Sequence, residues 1–144
     1  MPAEHSSTGY AARVRVAVVH PPLTIAADFI DYPFVANLGA VQLAAALREA
    51  GHEVRLADAF SLPGADLTWR DEGRARLGAS GAAVLEAVGE VDAVVVCLTP
   101  FHRPWRVDDE VDGFLRQLAE QHGGRVVLAD AYQSGQHYVE SPGI

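Results

Sequence analysis

The sequence predicts an α/β domain built around a parallel sheet of strand order 2-1-3-4. Three observations lead there. Short runs rich in β-branched residues alternate with longer runs of helical period. The strand-like runs are almost continuously apolar, as strands buried on both faces are. Strand, helix, glycine and strand follow one another over residues 13–58 as a βαβ unit.

Residues 1–12 contain no long apolar run and read as a flexible leader, not a signal peptide. The domain then spans residues 13–144. Its first strand is residues 13–20, where Val14, Val16, Val18 and Val19 favour extended backbone. Pro21 and Pro22 end it, because neither can donate to a ladder. A loop to Asn37 follows, longer than strand-to-helix connections usually are, and such loops are often functional. Asn37 is the N-cap of a helix over residues 38–50, with Leu43, Ala46, Leu47 and Ala50 toward the sheet. Gly51 closes that helix. Residues 52–58 form the second strand, with Val54 and Leu56 as its apolar side.

Pro63 and Gly64 mark a turn at residues 61–66. A weaker helix falls within residues 71–88, with Leu77, Val84, Leu85 and Val88 on one face and Gly78 and Gly81 interrupting it. Residues 93–98, Ala-Val-Val-Val-Cys-Leu, form a central third strand. A loop over 99–106 carries Pro100, His102, Pro104 and Trp105. Val107, Val111, Phe114, Leu115 and Leu118 mark a third helix, which Gly123 and Gly124 close. The fourth strand is residues 125–129, and an irregular tail starts at Asp130. A doubly wound sheet ordinarily continues with another helix and strand, so a fragment incomplete at its C-terminus is expected.

Composition narrows the function. The chain has 144 residues, 49% of them hydrophobic, which suits one domain with a real core. Its net charge is -8 and it contains no lysine, which argues against nucleic acid and anionic membranes as partners. No apolar stretch approaches a membrane span. Cys97 is the one cysteine, so no disulfide or multi-cysteine cluster forms within the chain. A cytoplasmic location is expected.

In doubly wound sheets, ligands bind beyond the carboxyl ends of the strands, where strand order reverses. The loops after the first, third and fourth strands meet there. They hold three of the six histidines together with Trp105, Tyr132 and Tyr138. Aromatic faces mixed with small polar groups suit a large, partly apolar ligand.

Several motifs fall at family positions: His20-Pro21-Pro22-Leu23, Tyr32-Pro33, Leu38-Gly39, Leu43-Ala44-Ala45, Gly51-His52-Glu53-Val54 and Asp58. This stretch resembles the start of the cobalamin-binding N-terminal domain of cobalamin-dependent radical S-adenosylmethionine enzymes. The resemblance is strong over residues 13–58 and looser to Asp130. It implies a Rossmann-like (flavodoxin-like) fold clasping the dimethylbenzimidazole tail and lower face of cobalamin. It also implies the cofactor-binding residues. These are His20, Pro21, Pro22, Tyr32 and Leu38 in the first loop, and Thr99 and Pro100 after the third strand. Asp130, Tyr132, Ser134 and Gly135 replace the paired glycines the family carries after the fourth. The Asp-x-His-x-x-Gly signature of cobalamin-dependent mutases is absent, as it commonly is in these radical enzymes. The Cys-x-x-x-Cys-x-x-Cys motif is absent too. An iron–sulfur cluster and S-adenosylmethionine would then belong to a downstream domain of a longer parent. That parent would be a methyltransferase or run a related radical reaction.

Each candidate also has an ordinary structural reading. His20 is a cobalt ligand or hydrogen-bonds a carbonyl. His102 and His137 with Asp130 lack the spacing of a metal site. Cys97 reads as a small core residue. Thr99 binds a ligand or caps the next turn. Tyr32 and Trp105 stack on a ring or seal a loop. Asp108, Asp109, Glu110 and Asp112 read as the solvated start of a helix, needing no partner. No Gly-x-Gly-x-x-Gly follows the first strand, so a dinucleotide site lacks its main device. Two other classes stay open: a cofactor-free interaction or regulatory module, and a nucleotide-sugar-binding half of a glycosyltransferase. A receiver domain would need acidic residues where His20 and Thr99 stand.

Overall fold

β1 (Arg15–His20) runs through the middle of the molecule, and every residue from Val16 to His20 is buried. The structure is a computed structural model that describes residues 12–26, 28, 36–70, 73–102, 109–123 and 125–130. β1 pairs in parallel with β3 (Glu53–Asp58) on one side and β6 (Ala93–Leu98) on the other. β7 (Val126–Asp130) pairs in parallel with β6. The order β3-β1-β6-β7 is the 2-1-3-4 order the sequence predicts.

Side chains alternate across this sheet, so each strand feeds two cores. On one face Ala17, Val19, Val94, Val96 and Leu98 pack with Val84 and Val88 of α2 (Gly81–Val88) and with Val111, Phe114, Leu115 and Leu118 of α3 (Asp109–Gln121). On the other face Val18 and Cys97 meet Ala40 and Ala44 of α1 (Leu38–Glu49). Small alanines let that helix lie close to the sheet. Leu43 and Leu47 pack beside them as predicted, but Ala46 and Ala50 are exposed. The buried stripe of α1 is therefore rotated toward Ala40 and Ala44.

Asn37 caps α1 as expected: its side chain accepts a hydrogen bond from the Ala40 N–H. Gly51 follows the helix with φ of +92°.

A second sheet departs from the predicted βαβαβαβ alternation. β2 (Leu23–Ala26), β4 (Asp66–Trp69) and β5 (Arg74–Gly78) form an antiparallel sheet of order β2-β5-β4. β2 lies in the predicted long loop. β5 occupies the start of the predicted helix, so only residues 81–88 of that segment are helical. The reason is a period-2 pattern: Ala75 and Leu77 are buried with Leu23 and Ile25, while Arg74 and Arg76 fall between them. Gly78, read as a weakness in a helix, ends the strand with φ of +99°.

The acidic start of α3 also differs from expectation. Glu110 is not merely solvated: it pairs with Arg70 at 2.8 Å and Arg76 at 3.5 Å, tying α3 to the small sheet. Asp112 pairs with Arg116 one turn on. Tyr32, Trp105, Val107, Asp108, Gly124, Tyr132, Ser134, Gly135, His137 and Tyr138 lie outside the described residues.

Candidate functional site at the carboxyl rim of the sheet

The four parallel strands end on one rim. In strand order they bring there Asp58, His20, Thr99 just beyond β6, and Asp130. His20 and Asp58 are register partners, as are Leu98 and Asp130. The order reverses between β1 and β6, so His20 and Thr99 flank the position where such sheets take ligands. Alternation puts His20, Asp58 and Thr99 on the α1 face. Asp130 has the parity of Val126 and Leu128, which pack in the α2–α3 core.

His20 is 2% exposed. Its Nδ1 lies 2.8 Å from Asp58 Oδ1. That carboxylate oxygen also accepts the Phe60 N–H at 3.0 Å. Burial acts to raise the Asp58 pKa, but the hydrogen bonds from His20 and Phe60 outweigh it and the net shift is downward. The ionised carboxylate accepts from His20 Nδ1–H and so orients the ring. Phe60 packs on the imidazole with ring centroids 4.6 Å apart.

His102 is fully buried and has neither nitrogen to spare. Nδ1 accepts from the Thr99 N–H at 2.9 Å, and the Thr99 hydroxyl lies 2.9 Å away. Nε2–H donates to the Pro21 carbonyl at 3.2 Å. Burial first, and the neighbouring His20 second, push the His102 pKa down to about 3. The ring is therefore neutral, and it pins the loop after β6 to the residues after β1. A metal ion therefore finds no free nitrogen on His102: its one lone pair accepts from Thr99 and its N–H donates to Pro21. Among the described residues no group of three His, Cys, Asp or Glu side chains is placed to hold a metal ion.

Thr99 makes local contacts: Oγ1 accepts the Phe101 N–H at 3.3 Å and meets His102. Pro21 and Pro22 are buried, and Pro100 is partly exposed. Leu38 is 66% exposed at the start of α1, and Phe101 is 48% exposed in the loop after β6. Asn37 ties the start of α1 to the end of β6, its Nδ2 donating to the Cys97 carbonyl at 3.3 Å. Cys97 is buried, which pushes its thiol up to about 11, so it is a core residue.

Two clefts, of ≈ 560 and ≈ 330 Å³, lie at the opposite, amino-terminal ends of the strands around Arg15, Glu90 and Val91. They gather charged and aliphatic groups with no converging donor set. The rim is the stronger site on chemistry.

Sequence reasoning placed His20 and Thr99 on the rim but missed the Asp58 partnership and the Phe60 brace. The signal was available: two six-residue strands that pair in register must end side by side.

No family model matches the chain, and no curated protein or solved structure is significantly similar to it. No described helix is long and apolar enough to cross a membrane.

Proposed function

We propose that this chain is a cobalamin-binding domain, the N-terminal part of a cobalamin-dependent radical S-adenosylmethionine enzyme. One observation carries the reading. A buried imidazole, oriented by a carboxylate, stands at the reversal point of a parallel sheet, on the rim that also bears exposed Leu38 and Phe101. The donor set fits a corrin. A wide, partly apolar macrocycle needs apolar surface to lie on and few polar contacts to orient it. A bare metal ion would need several converging ligands instead.

On this reading Leu38, Val41 and Phe101 offer the apolar lip, with Pro100 beside them. His20 and Asp58 supply the polar floor. Tyr32, Asp130, Tyr132, Ser134 and Gly135 complete the binding set implied by the resemblance. When bound, the cofactor supplies methyl transfer or related radical chemistry. The chain's residues bind and orient it. The buried Cys97 cannot serve an iron–sulfur cluster, so the cluster and S-adenosylmethionine belong to a downstream radical domain.

The test is retention. The purified chain, and a longer parent, are mixed with hydroxocobalamin or methylcobalamin and desalted. Corrin absorbance eluting with the protein, shifted from the free spectrum, supports the reading. Complete separation from both proteins overturns it.

A further inference from the structure

We propose that the turn over residues 99–102 is a strap that closes the rim, with the His102 side chain as its latch. The strap opens without unfolding of the sheet, and while closed it keeps solutes from the His20–Asp58 pair. The proposal goes beyond the cobalamin reading and holds for any occupant of this rim.

Thr99, Pro100, Phe101 and His102 form a turn closed by the His102 N–H, which donates to the Thr99 carbonyl at 3.0 Å. Pro100 stands second in it, where a fixed φ suits a turn. The Phe101 N–H on Thr99 Oγ1 stiffens it further. The tip of this unit faces solvent, with Phe101 48% exposed, whereas the His102 side chain at its end is fully buried. Inside the turn His102 Nδ1 accepts from the Thr99 N–H at 2.9 Å. Across the reversal of strand order its Nε2–H donates to the Pro21 carbonyl at 3.2 Å, just beyond β1. The ring is thus held ready by its own turn and catches the end of the neighbouring strand. It also lies edge-on to His20, with centroids 5.5 Å apart. His20 and Asp58 are buried, so a solute reaches them only when something over them moves. Phe60, which also packs on His20, belongs to the cores of both sheets and is locked in place. The surface-tipped turn that carries His102 is the neighbour of His20 able to swing away.

The experiment follows two signals in the full chain and in His102→Ala: amide hydrogen exchange, and modification of His20 by diethyl pyrocarbonate read by peptide mass. In the wild type the Thr99 amide should exchange faster than that of Val96 in β6, because the strap opens more readily than the sheet unfolds. His102→Ala should speed modification of His20 at least about tenfold, the effect of losing one or two buried hydrogen bonds, while the Val18 and Val96 amides keep their wild-type rates. His102→Gln, which can still donate to Pro21, should fall between. An unchanged rate at His20, or equal protection of Thr99 and Val96 in the wild type, overturns the strap. Exchange at Val18 and Val96 that rises as much as the modification of His20 overturns it too, since His102 would then only hold the fold together. Should His102→Ala fail to fold, the wild-type comparison and the glutamine variant decide. Corrin retention is measured separately, so the cobalamin reading stands or falls apart from these results.

Discussion

The Phe60 ring occupies the space that a side chain at Gly78 would need: a Cβ there would stand 2.9 Å from Phe60 Cδ1. The same ring lies against His20. The small sheet therefore braces the rim of the large one through a single aromatic side chain. The backbone link beside it, Ala79 N–H to the Ala59 carbonyl at 2.8 Å, holds the two sheets in step. Gly78 also has φ of +99°, which disfavours any side chain. Gly78→Ala should cost about 1–3 kcal/mol, read from the urea midpoint. A loss below about 0.5 kcal/mol would mean that Phe60 moves aside freely.

Asn37 performs two tasks with one amide. Oδ1 caps α1 and Nδ2 satisfies the Cys97 carbonyl. Asn37→Ala removes both and should cost about 1–3 kcal/mol. Asn37→Ser keeps a cap and loses the second bond, so it should fall between wild type and alanine. Equal stability of the serine and alanine variants would show that the cap contributes nothing here.

Cys97 is sealed in β6, with its thiol pushed up to about 11 by burial. The thiolate is the reactive form, so folded protein at about pH 8 should react with a disulfide reagent far more slowly than a free thiol. Urea should restore the ordinary rate at the unfolding transition. Fast labelling of the folded chain would contradict the placement of Cys97 in the core.

At the opposite edge of the sheet, Arg15 meets Asp92 at 2.7 Å. Hydrogen bonds from the Arg15 side chain and backbone hold the Asp92 pKa at about 2, below its ordinary 3.8. A carboxylate whose pKa is lowered on folding stabilises the fold above its unfolded pKa, and that contribution fades as pH falls through the folded one. The stability gap between wild type and Asp92→Asn should therefore stay constant from about pH 8 to about pH 5 and shrink from about pH 4 to about pH 2. Both groups are solvent-facing, so the gap should be small and should narrow with salt. A gap that does not change across the acid range would contradict the pairing.

The large sheet was legible because its signal is local. The Val-rich runs before His20 and before Cys97 can hardly be anything but buried strands, and Gly51 punctuates the first crossover. The small sheet was not legible because its partners are distant. Leu23 pairs with Leu77, and no window that contains one contains the other. β2 has four residues, and β4 ends on an exposed Trp69, so neither shows a strong pattern alone. The buried stripe of α1 is hard to place from sequence because Ala44, Ala45 and Ala46 offer no polarity contrast. His20 and Thr99 were recognisable as rim residues from strand ends alone. The Asp58 contact needed the register, and the sealed His102 needed the fold of the loop it closes.

Amide chemical shifts of the ¹⁵N-labelled chain, followed during titration with diamagnetic hydroxocobalamin, report where on the sheet a corrin sits. A corrin on the carboxyl rim should give saturable shifts concentrated at Leu38, Ala59, Thr99, Phe101 and Asp130. Arg15, Glu53 and Asp92, at the far ends of the strands, should stay still. A spectrum that does not change, or shifts gathered at that far edge, would contradict a corrin site on the rim.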